Sequence, residues 1–145
     1  MAEHEDPLLL DNQLCFALYS ASLQMTKLYK PLLDEIGLTY PQYVTMLSLW
    51  ETDGVTVSGL GERLFLDSGT LTPLLKRLEA AGLVTRTRNA EDERQVLIRL
   101  TPKGRALKQK AACIPAEIGA RGGLSIQEFL TLRKTLKKLR GALAT

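Results

Sequence analysis

The feature that most constrains the fold is a change in hydrophobic period at Val84. Up to that residue the apolar side chains recur mainly at helical spacing, whereas residues 84–88 and 95–100 have the β-branched, strand-like pattern. The polar and charged segment 89–94 connects these two runs. The pattern therefore predicts a β-hairpin with a charged tip in a chain that is otherwise helical.

Four helices are predicted before the hairpin. Asp11 is expected to cap a long helix that runs to about Ile36, and Pro41 suits the first position of a second helix, whose dense apolar residues place it in the core. Two shorter helices follow at about 58–66 and 68–81. The second of these buries a leucine stripe and leaves a polar surface opposite. The stripe consists of Leu71, Leu74, Leu75 and Leu78.

The chain after the hairpin is predicted to be helical again. Thr101 and Pro102 are expected to cap a strongly basic helix, which Pro115 and the glycine-containing segment 119–123 break or kink. A capping box that begins at Ser125 opens the last helix, whose apolar residues lie on one face.

This order of elements predicts a mainly α-helical fold with a small β-hairpin wing, a winged helix-turn-helix. We place the winged helix-turn-helix at about 41–100 and dimerisation helices at about 11–36 and 102–143, within a single domain 1–145. The terminal helices carry wide apolar faces that the small central unit cannot cover. An isologous homodimer would cover them.

The charge distribution suggests that the middle of the chain faces a polyanion. Residues 1–55 hold two basic and eight acidic side chains, a net charge of −6. Residues 56–110 hold eleven and six, a net +5, and residues 111–145 hold six and two, a net +4. A basic middle is typical of a chain that binds nucleic acid.

The polar surface of the helix at 68–81 has two interpretations. One is an ordinary solvated face, and the other is a major-groove reader whose hydroxyl groups and cations reach bases and phosphates. Pro73 is expected close to the first turn, where a proline costs least. The hairpin favours the second interpretation, since Arg94 near its tip could enter a narrow minor groove and Asp92 could orient it. The clustered hairpin cations are Arg86, Arg88, Arg94 and Arg99.

Cysteine and histidine usage excludes several kinds of site. Cys15 and Cys113 lie far apart in the chain, which argues against a structural disulfide. The sequence has no CxxC motif and no Cys/His metal site. His4 is the single histidine, so histidine-based catalysis is not expected, and no cofactor is predicted. The short apolar run at 8–10 is neither a signal-peptide core nor a membrane span, so we expect a cytoplasmic protein with no membrane partner.

Two segments resemble the MarR family of regulators. Asp92-x-Arg94 followed by Leu100-Thr101-x-x-Gly104 is similar to the wing signature of that family, and 78–84 is similar to its passage from recognition helix to wing. The resemblance covers nearly the whole chain and implies a winged-helix homodimer on a pseudo-palindromic double-stranded DNA operator. It implies major-groove and backbone contacts from Ser68, Thr70, Thr72, Lys76 and Arg77. Arg94 would contact the minor groove, and we group Arg86 and Asp92 with these DNA-binding residues.

Cys15 also has two interpretations. By default, a cysteine on the apolar face of a helix is a small buried hydrophobe. Against this, Cys15 lies near the start of the first helix, where the helix dipole favours a thiolate. Tyr19 lies on the same face four residues later, and Tyr29 and Tyr40 are candidate phenol donors in a dimer.

The same region resembles a branch of the MarR family, the organic hydroperoxide resistance regulators. The similar segments are 12–16, 29–34, 39–43 and 66–73. The resemblance implies that an organic hydroperoxide oxidises Cys15 to a sulfenic acid, and that Tyr19 and Tyr29 of the partner subunit bond to its thiolate. Phe16 and Tyr40 would line the sensor pocket, and oxidation would release the operator.

The step after the sulfenic acid is open. Some members of the branch have a resolving cysteine after an Ile-Pro pair, which would fall near Ala120 here. The candidate in this chain, Cys113, comes just before Ile114-Pro115 instead. Either Cys113 resolves Cys15 from a shifted position, or it is a bystander and a small thiol or further oxidation caps Cys15. We favour the bystander.

Two other functions remain as alternatives. A MarR-type repressor released by a non-oxidising small ligand would have the same fold and the same DNA-binding surface. A cysteine-based peroxidase would need a strand-rich thioredoxin-like scaffold and a reactive cysteine preceded by Pro and Thr at a helix start. Neither feature is visible in the sequence.

Overall fold

The computed structural model describes residues 6–144, so His4 lies outside the described range. The chain forms two compact units, of which the first ends at Ala112 and the second begins at Cys113. The helices of the first unit are α1 (Leu14–Asp34), α2 (Tyr40–Glu51), α3 (Val57–Leu64), α4 (Ser68–Ala80) and α5 (Pro102–Ala111). Its strands are β1 (Val55–Thr56), β2 (Val84–Arg88) and β3 (Val96–Leu100). The second unit contains α6 (Ile114–Arg121) and α7 (Ile126–Leu143). The predicted class, mainly helical with a small wing, is confirmed.

The first helix begins later than predicted. Asp11 lies within a short 3-10 turn, Leu10–Asn12, and the N-cap of α1 is Gln13, so the predicted cap by Asp11 is wrong. The reason is local, because a cap needs the extended backbone that Gln13 has and a residue inside a helical turn lacks. The Gln13 side-chain amide donates to the carbonyl oxygens of Pro7 at 2.6 Å and Leu9 at 2.8 Å, which holds the preceding segment at the helix start.

The second helix begins at Tyr40, one residue before the predicted start, so Pro41 is its second residue and still lies in the first turn. The Thr39 hydroxyl accepts from the Gln42 backbone N–H at 3.4 Å, and the Gln42 side chain accepts from the Thr39 backbone N–H at 3.0 Å. This capping box fixes the start of α2. Tyr43, Met46 and Leu49 of α2 are buried in the core, as the density of apolar residues predicted, whereas Leu47 is 41% exposed.

The helix-turn-helix consists of α3 and α4. Gly61 permits the tight turn between them, because a Cβ there would lie 2.7 Å from the carbonyl oxygen of Leu66. The predicted leucine stripe of α4 is buried. Pro73 lies in the second turn of α4 rather than close to the first, so this expectation is corrected. At that position the proline removes the hydrogen bond that an interior residue would donate to the carbonyl of Gly69.

The wing is a three-stranded sheet in the order β1-β3-β2. The predicted hairpin is confirmed, with β2 and β3 antiparallel and Val84 opposite Leu100. The first strand pairs with the other edge of β3, where Val55 lies opposite Ile98. Strand β1 is not predictable from the sequence, because a strand of two residues carries no readable period. This strand joins the base of the wing to the connection between α2 and α3.

The second unit holds the last two helices. Helix α5 ends at Ala111, so Pro115 does not break it but lies in the first turn of α6. Gly119 lies inside α6, and the predicted break within 119–123 is confirmed at Gly122, which follows the last residue of α6. Proline suits a first turn because its missing N–H has no helical partner there. The predicted capping box at α7 is confirmed, since Ser125 accepts from the Glu128 backbone N–H at 3.1 Å and the Glu128 carboxylate accepts from the Ser125 N–H at 3.0 Å. None of the helices among residues 6–144 combines the length and the hydropathy that a membrane span requires.

Candidate DNA-binding surface and cysteine site

The N-terminus of α4 is fixed by Asp67. Its side chain accepts a hydrogen bond from the Thr70 backbone N–H at 2.7 Å. This bond lowers the pKa of the Asp67 carboxyl below its usual value, because it stabilises the charged form. With the leucine stripe facing the core, the predicted DNA-binding side chains lie on the outer face. Ser68, Thr70, Lys76 and Arg77 are exposed, and Thr72 is half-buried.

The C-terminus of α4 is fastened by the segment that follows β3. The Thr101 hydroxyl donates to the Gly82 carbonyl oxygen at 2.6 Å, and the Lys103 ammonium donates to the Ala81 carbonyl oxygen at 3.0 Å. Carbonyl groups at a helix end lack helical partners, and a cation there also offsets the negative end of the helix dipole. This contact was not predicted from the sequence, although Thr101 belongs to the motif that carried the family resemblance.

At the wing tip, Arg94 lies where it can reach a ligand. Its side chain is 91% exposed, and its Nε donates to the Asp92 Oδ1 at 3.2 Å. The same carboxylate oxygen accepts from the Arg94 backbone N–H at 3.1 Å. Asp92 therefore orients both the backbone and the guanidinium of Arg94, as the sequence suggested.

Arg86 has a structural partner. Its Nε donates to the Glu79 carboxylate at 3.3 Å, and only 26% of the side chain is exposed. This pair connects β2 to the last turn of α4. Arg88 is exposed and donates across the tip to the Glu93 carbonyl oxygen at 2.8 Å. Arg94 is therefore the tip arginine whose guanidinium is held by a side-chain carboxylate while 91% of its side chain is exposed.

A groove of about 760 Å³ lies between the wing and the helix-turn-helix. It brings together four of the predicted DNA-binding residues, Ser68, Thr72, Arg86 and Arg94. The other predicted residues, Thr70, Lys76, Arg77 and Asp92, are not part of its lining. Residues that the sequence did not single out also line it, among them Thr56, Ser58, Glu62, Phe65 and Gln95.

Cys15 is the second residue of α1 and is exposed. The expectation of a buried hydrophobe is therefore not met within the single chain. Tyr19, one turn later, is 64% exposed, and Phe16 is also exposed. Several other apolar side chains near this end of the chain are exposed to solvent. They include Leu8, Leu10, Leu14 and Leu23.

Tyr29 lies in a cluster of aromatic rings. Its ring centroid is 4.9 Å from that of Tyr40 in an edge-on arrangement and 5.8 Å from that of Tyr43. Burial, together with its phenolic neighbours, raises the pKa of Tyr29 to about 12, and burial also raises the pKa of Tyr40. Both phenols therefore remain protonated at neutral pH and can donate hydrogen bonds. Tyr43 completes the cluster and was missed because a buried tyrosine gives no special signal in the sequence.

The structure does not bring Cys15 to Tyr29 within one chain. The two residues are fourteen positions apart on one continuous helix, which separates them by about 21 Å along its axis. Cys113 belongs to the second compact unit, where it precedes α6, and its side chain is exposed.

The helix-turn-helix, the adjoining three-stranded wing and the groove between them define a winged helix-turn-helix transcriptional regulator. The family model described as transcriptional regulator SarA/Rot matches residues 27–111. The chain is 55% identical over 140 residues to the organic hydroperoxide resistance transcriptional regulator of Bacillus subtilis (strain 168), covering 97% of this chain and 90% of the relative. The chain belongs to the MarR family, in the branch of the organic hydroperoxide resistance regulators.

Solved structures agree with this assignment. Reduced AbfR bound to DNA, a Staphylococcus epidermidis protein, is 36% identical and matches with a TM-score of 0.80 over 93% of this chain and 92% of that chain. The disulfide form of AbfR matches with a TM-score of 0.62, at 36% identity over 93% of this chain and 90% of that chain. Wild-type MarR of E. coli in its apo form is 28% identical, with a TM-score of 0.70 over 88% of this chain and 96% of that chain.

Proposed function

We propose that this protein is a peroxide-sensing transcriptional repressor of the cytoplasm, which binds a pseudo-palindromic operator as a homodimer and leaves it when an organic hydroperoxide oxidises Cys15. The observation that carries the proposal is an exposed Cys15 at the start of a helix whose apolar surface is also exposed. The DNA-binding part rests on the outer face of α4 and on Arg94, which Asp92 holds at the wing tip. AbfR has been solved in a reduced form bound to DNA and in a disulfide form, which supports the pairing of DNA binding with cysteine oxidation in one protein.

The homodimer completes the cysteine site. The exposed apolar residues near Cys15 need a cover, and a second copy of the chain supplies a matching one. Tyr29 lies about 21 Å from Cys15 along α1, so its phenol cannot reach the thiolate of its own chain. The resemblance to the organic hydroperoxide resistance regulators implies that Tyr19 and Tyr29 of the partner subunit bond to this thiolate. A phenol whose pKa is raised to about 12 donates a hydrogen bond and keeps its own proton.

The sensing reaction is a two-electron oxidation. The Cys15 thiolate attacks one peroxide oxygen, an S–O bond forms and the O–O bond breaks. Sulfur is oxidised to the sulfenic acid, and the hydroperoxide is reduced to an alcohol whose oxygen takes a proton from solvent. A second thiol then condenses with the sulfenic acid to give a disulfide and water. We assign this step to a small thiol, with Cys113 of either subunit as the alternative.

Intact mass spectrometry tests the proposal. Reduced protein is first treated with cumene hydroperoxide in the absence of other thiols. The protein that has then released its operator should be heavier by one oxygen atom, bound to Cys15. In the presence of a small thiol it should gain the mass of that thiol less two hydrogen atoms, and dithiothreitol should restore both the mass and DNA binding. A disulfide-linked species that contains Cys113 would instead identify Cys113 as the resolving residue. Release of DNA with no change in mass would contradict oxidation sensing.

The cysteine-based peroxidase is not supported by the fold. Its thioredoxin-like scaffold needs a substantial sheet, whereas the sheet within residues 6–144 has three short strands, all paired antiparallel.

Replacing Arg94 with Ala should weaken operator binding by about tenfold to a hundredfold, because each wing loses a cation that contacts the narrow groove. The slope of log K against log salt should also become less negative by about 0.9 for each wing, since fewer counterions are released. Fluorescence anisotropy at several salt concentrations measures both quantities.

Arg121→Ala is the matched control for this test. Arg121 is likewise an exposed arginine with a carboxylate partner, Glu117 at 3.3 Å, but it lies in α6. Its replacement should leave both affinity and slope unchanged. Equal effects of the two substitutions on affinity and slope would show that Arg94 does not contact DNA.

A further inference from the structure

The turn between α3 and α4 contains a backbone outlier. Phe65, the residue after α3, has φ 59° and ψ 38°, the left-handed conformation. Among the described residues it is the only non-glycine with positive φ. A bulky side chain disfavours this conformation because its Cβ crowds the backbone, whereas glycine adopts it freely.

The turn requires this conformation but does not require phenylalanine. The backbone N–H groups of Phe65 and Leu66 both donate to the Gly61 carbonyl oxygen, which ends α3 abruptly so that Asp67 can cap α4. Glycine or asparagine at position 65 would make the same backbone bonds with less strain.

Most of the Phe65 side chain lies outside the core. Phe65 is 58% exposed and lines the groove between the wing and the helix-turn-helix. The same groove is lined by Ser68, Thr72 and Arg94, the candidate DNA-binding residues from α4 and the wing tip. A strained residue with an exposed aromatic ring at this place points to a ligand-binding role.

We propose that Phe65 contacts DNA directly, with its ring packed against the apolar surface that DNA offers beside the major groove, a deoxyribose or a thymine methyl group. This inference rests on the proposed DNA-binding function. It adds an apolar contact, supplied by the turn itself, to the polar contacts of α4 and the wing. In a helix-turn-helix the first helix crosses the DNA backbone and the second enters the major groove, so the turn between them lies beside the DNA.

Phe65→Gly separates the contact from the fold. It keeps the left-handed turn and removes the ring, so the melting temperature should be unchanged or higher. DNA affinity should fall by about tenfold, the change expected from partial burial of one phenyl ring. Phe65→Asn should behave in the same way, and Phe65→Tyr should keep wild-type affinity. The probe is a duplex selected by the reduced wild-type dimer from a random-sequence pool.

Two further measurements test the contact, namely the salt dependence of binding and the replacement of thymine by uracil in the probe. The salt slope of Phe65→Gly should match that of the wild type, because no cation is lost. Uracil in place of thymine in the probe should weaken only wild-type binding if the ring contacts a methyl group, and neither protein if it contacts a deoxyribose. Wild-type affinity in Phe65→Gly, or a lower melting temperature in both the Gly and Asn variants, would overturn the inference. If the wild-type dimer selected no duplex, the proposed function itself would fail.

Discussion

Cys15→Ser should keep its affinity for operator DNA within about twofold and lose its response to organic hydroperoxide entirely. Serine has nearly the same size and can accept a hydrogen bond from a phenol, so the reduced conformation is preserved. It cannot form a sulfenic acid, so the peroxide has no covalent route to the protein. Under the same treatment the wild type should lose affinity by about a hundredfold, within the usual range for coupling between two sites.

The measurement is operator binding by anisotropy, before and after cumene hydroperoxide, with intact mass recorded on the same samples. Cys113→Ser is the matched control, because it removes the other exposed thiol and leaves Cys15 in place. If Cys113 is a bystander, this control should be released from DNA just as the wild type is. If the Cys15→Ser protein still dissociated from the operator on oxidation, the sensing residue would be one other than Cys15.

The same variant distinguishes the ligand-responsive alternative. A repressor released by a non-oxidising small ligand would keep its response after Cys15→Ser, because the ligand needs no reactive sulfur. Loss of the peroxide response with DNA binding intact therefore favours the redox mechanism.

The parts of the fold that were predictable from the sequence are those with a readable period. The leucine stripe of α4 recurs at helical spacing, and it is buried. The change of period at Val84 correctly predicts the hairpin, and Ser125 with Glu128 correctly predicts the start of α7. In each case neighbouring residues carry the whole signal, so no tertiary information was needed.

Features that depend on tertiary contacts were missed or misplaced. Glu79 of α4 forms an ion pair with Arg86 of β2, and counting charges along the sequence cannot show this contact. The left-handed backbone of Phe65 follows from the tight α3–α4 turn, and no residue type in the segment signals it. The cysteine site is harder still, because the separation of Cys15 from Tyr29 along α1 leaves the site incomplete in one chain. Its assignment came from the family resemblance together with the chemistry of the tyrosines.

Gly104→Ala should destabilise the fold by about 3 kcal/mol, although alanine is normally the better helix former. Gly104 is buried in the first turn of α5, and a Cβ on it would overlap the Leu83 carbonyl oxygen. The obstacle is backbone and cannot rotate away. Gly104 is also held from both sides, since its N–H donates to the Thr101 hydroxyl at 3.0 Å and its carbonyl accepts from the Trp50 indole N–H at 2.9 Å.

The strain from this substitution should reach the DNA-binding surface as well. Leu83 joins the end of α4 to β2, so a displacement of its carbonyl changes the angle between the recognition helix and the wing. The fraction of protein that remains folded should therefore bind operator DNA at least about tenfold more weakly, because major-groove and minor-groove contacts must be made together. Thermal or urea unfolding at a fixed protein concentration, followed by anisotropy below the transition, measures the two effects separately.

Gly119→Ala provides the control for Gly104→Ala. Gly119 also lies in a helix, but it is exposed and a Cβ there would meet nothing within 4 Å. Its replacement should therefore be neutral or stabilise by about 0.5–1 kcal/mol, the ordinary helix propensity gain. Opposite signs for the two substitutions would show that the close approach of α5 to Leu83 holds the wing in place. Equal melting temperatures for Gly104→Ala and the wild type would contradict that close approach and the role we assign to it.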